Sequence, residues 1–328
     1  MPTNNQEQGL ICAYRLSSEN AWHALSWQEI SDTESLDSSL TWIHLHLSEQ
    51  AGDWLSQKSG LDPMIAADLM DEDNQPRLIN RTDGLFLTLR GVNLNPGADP
   101  EDMVFLNIWA DSKQIITIRS HRLQALADVR RSIDTGIGMP HTIGGFLVRI
   151  MHNVVTNMDP VLTRLDDKLD QLEEETLSSA DTSLGARLSA LRQDILLLRR
   201  HIAPQRRVFG EIQQIHGNWF SKNHRRTLQE VVARVQQDVD ELDSYRDRAL
   251  LVQDELNRQS DQKMNATMYR LTVITGIFLP LSFLTGLLGI NVGGMPGVEN
   301  PMAFWLVVGV SVLLGVGGVI LARVMKWF

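Results

Sequence analysis

A group of side chains recurs at intervals of seven residues ahead of a short glycine-rich tip. In chain order these side chains are Asp254, Asp261, Met268, Thr275 and Ser282. The tip that follows contains Gly289, Ile290 and Asn291. Because a supercoiled helix returns every seventh residue to the same side, we expect these residues to share one face. Hydroxyl and amide oxygens can face a cation through its hydration water, and aspartates concentrate cations by their charge.

Each of these residues also has an ordinary structural explanation. Serine and threonine hydroxyls can bond back to carbonyls of their own helix, and exposed aspartates can simply be solvated. Asn and Gly are good residues for ending a helix, so Gly289-Ile290-Asn291 can be a C-terminal cap. If these residues line a path for cations, Asn291 supplies the filter amide and Met268 forms an apolar constriction. Asp254 and Asp261 then form an acidic vestibule. The residues alone leave both explanations open.

Two uncharged stretches flank the tip, from Leu271 to Val298 and from Met302 to Ala322. A bilayer core needs about 20 apolar residues per helix, so both stretches are long enough to span it. We therefore expect the first membrane helix at 266–290, an external loop at 291–301, the second membrane helix at 302–324 and a cytoplasmic tail at 325–328. Basic residues lie ahead of the first span and after the second, which places both termini in the cytoplasm.

The first residues, MPTNNQEQG, lack the basic start and apolar core of a secretory signal. We therefore expect the large region ahead of the spans to remain in the cytosol. The expected location of the chain is the inner (plasma) membrane of a bacterium, where it contacts the lipid bilayer.

Residues 1–140 have the pattern of a cytoplasmic α/β domain. Four short segments rich in β-branched and aromatic residues predict strands at 41–47, 84–94, 103–110 and 114–119. Ser48 predicts the start of a helix ending near Gly60, and Asp62 followed by Pro63 predicts the start of another.

Residues 141–265 are predicted to form a stalk of long helices. Polar breaks at 176–183 and 216–223 divide this half into three helices. The third helix is expected to run from about 222 to Gly289, or roughly 100 Å. Its apolar residues spaced by seven predict that it packs around an oligomer axis; an antiparallel bundle within one chain is the alternative. These residues are Leu228, Val235, Leu242, Ala249 and Leu256.

Composition excludes several functions. The formal net charge of −10 argues against nucleic-acid binding, which requires clustered Lys and Arg. No phosphate-binding loop or nucleophile with an adjacent base is present, so we expect neither an enzyme nor a catalytic cofactor. The single Cys12 is a poor metal site, whereas His44 and His46 alternate on a predicted strand and form a weak candidate metal pair.

The chain as a whole resembles the CorA-type metal ion transporters. The resemblance rests on two C-terminal spans, a large α/β domain, a long stalk helix and a Gly-x-Asn triplet after the first span. The family's usual triplet is Gly-Met-Asn, whereas this chain has Gly289-Ile290-Asn291 followed by NVGGMPG. The isoleucine, together with the segments PRLINRTDGLFLTLRGVN and HIAPQRRVF, is similar to the ZntB-type zinc transporter branch.

This resemblance implies an architecture and a function. The architecture is a funnel-shaped homopentamer in which an α+β cytoplasmic domain continues into a helical stalk and two membrane helices, the first lining the pore. The function is divalent cation transport, with Zn²⁺ as the leading substrate and proton-coupled uptake as one mode. Transport of Mg²⁺, Co²⁺, Ni²⁺ or Cd²⁺ is the alternative within the family. A membrane-anchored metal sensor or scaffold is an alternative of a different class.

Overall fold

The computed structural model describes residues 9–31, 40–72, 75–178, 183–215, 217, 219–290, 297 and 299–324. The chain divides into two compact units, Met1–Val252 and Gln253–Phe328. The boundary between them falls inside one long helix.

The first unit contains a seven-stranded sheet with the order β2-β1-β3-β7-β6-β5-β4. Neighbouring strands are antiparallel except for β3 and β7, which run parallel. The strands are β1 (Leu10–Leu16), β2 (Trp22–Ala24), β3 (Thr41–His46), β4 (Arg77–Asn80), β5 (Leu85–Gly91), β6 (Val104–Ala110) and β7 (Gln114–Arg119). The four strands predicted from β-branched and aromatic runs correspond to β3, β5, β6 and β7. These central strands are almost wholly buried, which explains their apolar composition.

Short helices cover the sheet, and two of them begin at the predicted caps. The Oγ of Ser48 accepts a hydrogen bond from the Ala51 amide at the start of α2 (Glu49–Gln57). The carboxylate of Asp62 accepts one from the Met64 amide at the start of α3 (Pro63–Met70). The other helices of this half are α1 (Trp27–Ser31) and α4 (Gln124–Thr135). Together with the inner face of the sheet, α2 and α3 enclose a core that includes Trp54, Phe86 and Trp109.

Between residues 140 and 290, the described part of the chain contains four helices where three were predicted. They are α5 (Ile143–Thr156), α6 (Asp159–Ser178), α7 (Leu184–Gln213) and α8 (Lys222–Leu288). The additional break lies at Asn157 and Met158, and α6 begins at Asp159 with Pro160 as its second residue. Proline lacks an amide hydrogen and suits the first turn of a helix, so Pro160 starts a new helix where the apolar periodicity continues unbroken.

The seven-residue apolar stripe of α8 is buried within the single chain. Leu228, Val235, Leu242 and Ala249 are each at most 1% exposed. Salt bridges join this part of α8 to its neighbours: Arg199 of α7 contacts Asp243 at 2.6 Å, and Arg234 contacts Asp159 of α6 at 2.7 Å. Packing within one chain therefore explains four of the five residues of this stripe, and the fifth, Leu256, is half-buried.

The second unit contains the C-terminal part of α8 and the helix α9 (Ala303–Val324). Both helices contain a stretch long and apolar enough to cross a membrane, and these stretches are almost entirely exposed in the single chain. The two helices pack through small residues of α9. A Cβ atom added to Gly318 would lie 3.1 Å from Ile277, and one added to Gly315 would lie 3.8 Å from Leu281. Small residues allow this close approach between membrane helices.

Candidate metal-ion pathway

The predicted pathway residues lie on the side of α8 that faces away from α9. The contact with α9 is marked by Ile277 and Leu281, and by Val273, which is 4% exposed. At 100° per residue, Thr275 lies roughly 160° around the helix from Ile277, and Ser282 lies roughly 140° from it. Packing against α9 therefore leaves this polar face uncovered within the chain.

The two hydroxyl residues of this face differ in their hydrogen bonding. Thr275 Oγ1 donates to the Leu271 carbonyl at 2.9 Å, as the structural explanation of this residue expects. A hydroxyl that donates its proton still accepts through its oxygen lone pairs. The water molecules around a cation present their hydrogens outward, so acceptors are what a hydrated cation needs. Ser282 is exposed, and its hydroxyl makes no hydrogen bond to the described residues.

The residues nearer the start of this face are also exposed. Met268 is 60% exposed, and both Asp261 and Asp254 lie on the surface of α8. Within the described chain neither aspartate forms a salt bridge, whereas other acids of the same helix, such as Asp243 and Glu255, do. Their charge is therefore available to attract cations, which is compatible with a vestibule and equally with a solvated surface.

The filter triplet begins immediately after the last residue of α8. Gly289 closes the helix with a hydrogen bond from its amide to the Gly286 carbonyl at 3.2 Å. A Cβ atom at this position would lie 2.9 Å from the Thr285 carbonyl oxygen, so a side chain would collide with backbone. Ile290 follows and is 48% exposed. Asn291, the predicted filter amide, lies outside the described residues.

The candidate metal pair on β3 is divided between two environments. His44 is buried at 3% exposure, whereas His46 is exposed at the end of the strand. Arg119 Nε donates to His44 Nε2 at 3.0 Å, and His44 Nδ1 lies 2.9 Å from Thr117 Oγ1. Burial, reinforced by the charge of Arg119, holds the pKa of His44 well below its usual value. Both ring nitrogens are therefore occupied, which does not favour a metal role.

The acidic segment of α6 is engaged by one arginine of α8. Arg248 donates to Asp166 at 2.7 Å, to Glu173 at 2.9 Å, and also to Asp170. Hydrogen bonds to Glu173 and the other two carboxylates raise the pKa of Arg248. These three acids therefore fasten α6 to α8, and Arg248 offsets one of their three negative charges. Within the described residues, no group of three or more His, Cys, Asp and Glu side chains is arranged to hold a metal ion.

The structure brings together the two other segments that carried the family resemblance. The Arg90 amide, in the segment 76–93, donates to Gln205 Oε1 of the segment 201–209 at 2.7 Å. Gln205 is buried, at 3% exposure. This hydrogen bond joins β5 to α7, so the shared residues of these segments have a structural role in holding the sheet to the helical layer.

One functional candidate on α8 has no distinguishing signal in the sequence. Asp238 is 1% exposed, and its Oδ1 atom has no hydrogen-bond partner in the described structure. Arg234 lies 3.5 Å away but donates its short hydrogen bond to Asp159. Burial raises the pKa of Asp238 to about 7, against the lowering effect of Arg234. The side chain can therefore exchange a proton near neutral pH.

Comparisons with known proteins identify the family of the chain. Residues 37–323 match the family described as CorA-like Mg²⁺ transporter protein. The chain is 35% identical over 306 residues to the "Divalent cation transporter CmaX" of Pseudomonas aeruginosa, covering 92% of each chain. It is 30% identical over 315 residues to the "Zinc transport protein ZntB" of Pectobacterium carotovorum subsp. carotovorum, covering 96% of this chain and 94% of the relative.

A solved structure shows the same fold over the full length. The structure of the full-length CmaX protein superposes with a TM-score of 0.81 at 33% identity, covering 99% of this chain and 100% of that one. The predicted fold class is confirmed, with an α/β domain, a long helix and two candidate C-terminal membrane helices. Membership of the same transporter family confirms the prediction that the chain is not an enzyme. The chain belongs to the CorA-like Mg²⁺ transporter family, whose members carry divalent cations.

Proposed function

We propose that this chain transports divalent cations across the bacterial inner membrane, with Zn²⁺ as its main substrate. In this proposal five copies surround a central pore lined by residues 266–290 of each chain, and residues 302–324 pack outside. Gly289, Ile290 and Asn291 form the outer filter, and the termini lie in the cytoplasm.

The observation that carries this proposal is the polar face of α8 opposite α9. Two helices from one chain cannot enclose an aqueous path, and a face with the hydroxyl of Ser282, which has no hydrogen bond to the described residues, is costly to expose to lipid. Assembly of several copies around this face would remove it from lipid and line a path with acceptors for hydrated cations. In the same assembly, the exposed apolar side chains of α8 and α9 would face lipid. Examples are Phe283 of α8 and Leu313 of α9, each more than 60% exposed in the single chain.

The preference for Zn²⁺ rests on the relatives and on the altered triplet. ZntB relatives cover almost the entire chain, and Ile290 stands where the wider family has methionine. Neither span contains His or Cys, the usual ligands of dehydrated zinc. We therefore propose that Zn²⁺ passes with its hydration water, held by the Asn291 amide oxygens and not by direct zinc ligands.

Flux into liposomes tests this function. Purified protein is reconstituted with a zinc-sensitive dye inside, and external Zn²⁺ is added. Asn291→Ala is expected to abolish the signal, whereas the matched control Asn300→Ala, in the same external loop but outside the triplet, is expected to retain it. Flux that is unchanged in Asn291→Ala would contradict the proposed filter. Absence of flux in the wild-type protein would favour a membrane-anchored sensor or scaffold.

Transport of Mg²⁺, Co²⁺, Ni²⁺ or Cd²⁺ is the second candidate. The family model is named for Mg²⁺, and the relative CmaX is named for divalent cations in general. A filter that binds ions through their water discriminates weakly between cations of equal charge. A competition series in the same liposomes separates the candidates: suppression of Zn²⁺ flux by Mg²⁺ at a concentration well below that of Zn²⁺ would assign the chain to the magnesium type.

We further propose that protons are coupled to uptake through a cytoplasmic acid. The spans contain no Asp or Glu, so they offer no relay of buried acids. Asp238 is the described acid whose pKa lies close to neutral pH. An inward pH gradient is expected to accelerate Zn²⁺ uptake by the wild-type protein and to have no effect on Asp238→Asn. Acceleration of equal size in both proteins would remove Asp238 from the mechanism.

A further inference from the structure

A basic cavity of ≈ 440 Å³ lies in the first unit, apart from the predicted pathway. This volume is within the range of small-molecule sites. The cavity lies beside His44 and Arg119, at the carboxyl ends of the parallel strands β3 and β7, and α4 forms its opposite wall. Crevices at the carboxyl ends of parallel strands are the usual ligand sites of α/β sheets.

The lining of this cavity carries an excess of positive charge. Four of its residues are Arg119, Arg122, Arg130 and Arg131, and its one carboxylate is Asp134. Asp134 lies 3.8 Å from Arg130 and also accepts a hydrogen bond from the Tyr14 hydroxyl at 2.9 Å. Arg131 pairs with Asp128, which lies outside the lining, at 3.3 Å. Among the described residues, Arg119 and Arg122 have no carboxylate partner.

The excess of positive charge lowers the stability of the folded chain, because one of the charged side chains, Arg119, is half-buried. Its Nε donates to His44 Nε2 at 3.0 Å, and this acceptor is a neutral imidazole that supplies no compensating charge. Burial, with the nearby Arg122 as a further cause, lowers the pKa of Arg119 to about 10. A guanidinium withdrawn from water without an anion is destabilising, so a bound anion would stabilise this arrangement.

The start of α4 adds a second source of positive potential. Its N-cap residue is Leu123, whose side chain cannot accept a hydrogen bond from the first-turn amides. Leu123, Leu126 and Ala127 from this first turn line the cavity. The amides of Leu126 and Ala127 already donate to the Leu123 carbonyl, so it is the helix dipole at this start that favours an anion. The leucine and alanine side chains give the same wall an apolar surface.

We propose that this cavity binds a small anion carrying a phosphate group. Two arginines without carboxylate partners match the two negative charges of a phosphate, and a guanidinium binds phosphate through paired hydrogen bonds. The apolar wall leaves room for an organic body attached to the phosphate. All the residues involved lie in the first unit, and none of them belongs to the predicted pathway or is Asp238.

Titration calorimetry of the full-length protein in detergent tests this site with inorganic phosphate, pyrophosphate and ATP as probes. We expect saturable binding at low salt that weakens as NaCl is raised, because exposed charges are screened. Binding of all three with similar affinity would identify free phosphate as sufficient. At least about tenfold tighter binding of ATP would identify an organic phosphate as the ligand. Absence of saturable binding by every probe would overturn the proposal.

Substitutions of the lining arginines test whether the anion binds in this cavity. Arg122→Gln and Arg130→Gln change exposed side chains, so both proteins are expected to fold. Each change should weaken binding about tenfold, and the double variant should bind more weakly than either single variant. Arg226→Gln, an exposed arginine of α8 paired with Glu230, serves as the matched control and should bind as the wild type does. A double variant that binds within about twofold of the wild type would overturn the assignment.

Discussion

The buried carboxyl group of Asp238 makes a specific prediction about stability and pH. In the folded chain its pKa is about 7, compared with 3.8 for an unperturbed aspartate. Between these values the unfolded chain has lost its proton while the folded chain retains it. The unfolded state thus binds fewer protons, and stability falls as pH rises from about 4 to about 7. About three pH units at 1.36 kcal/mol each give a loss of roughly 4 kcal/mol.

Asp238→Asn tests this magnitude, because asparagine is neutral at every pH and has nearly the same shape. We expect the variant and the wild type to have similar stability near pH 4. As pH rises, the variant should become more stable than the wild type. The difference in the free energy of unfolding should reach roughly 2–4 kcal/mol at pH 8, after relaxation of the site is allowed for. In a chain of this size that difference raises the unfolding temperature by roughly 3–6 °C.

Thermal unfolding of the detergent-solubilised protein, followed across a pH series, measures this effect. Asp240→Asn is the matched control, because Asp240 is exposed on the same helix two residues away. It should show the pH dependence of the wild type. A difference between Asp238→Asn and the wild type that is constant from pH 4 to pH 8 would refute the reasoning, since the carboxyl group would then not titrate in this range.

Two further predictions concern contacts within the first unit. Gly144→Ala should destabilise the chain by roughly 3 kcal/mol or more, because the added Cβ would lie 1.8 Å from the Trp219 carbonyl oxygen. Gly185→Ala, which has open space around it, should not reduce the unfolding temperature. Arg248→Gln should cost about 1–3 kcal/mol, because three carboxylates of α6 lose their shared cation. In thermal unfolding this loss should shrink at high salt, and a salt-independent loss would contradict its electrostatic origin.

Local chemistry explains which parts of the fold were predictable from sequence. Ser48 and Asp62 make hydrogen bonds to amides two or three residues away, so their role as caps depends only on neighbouring residues. Four buried strands have apolar compositions that distinguish them from surface segments. In contrast, α4 begins at Leu123 without a side-chain cap, and its start has no local signal.

The remaining errors and omissions come from contacts distant in sequence. The stripe that includes Val235 and Ala249 has the spacing of an intermolecular seam, and spacing alone does not reveal that the same chain buries it. Asp238 stands among many acids, so only the folded chain shows that it is buried. In the pathway, the seven-residue spacing predicted the shared face of Thr275 and Ser282, but the position of α9 was needed to show that this face is uncovered.

The central claim, that several copies surround the polar face of α8, is tested most directly by thiol accessibility during Zn²⁺ flux. Single cysteines are placed at Thr275, Ser282 and Phe283 in a Cys12→Ser background, and a charged, membrane-impermeant thiol reagent is added to active liposomes. We expect the reagent to block flux through Thr275→Cys and Ser282→Cys and to leave Phe283→Cys unaffected. Block at position 283 with none at 275 and 282 would place the polar face away from the pore and contradict the account.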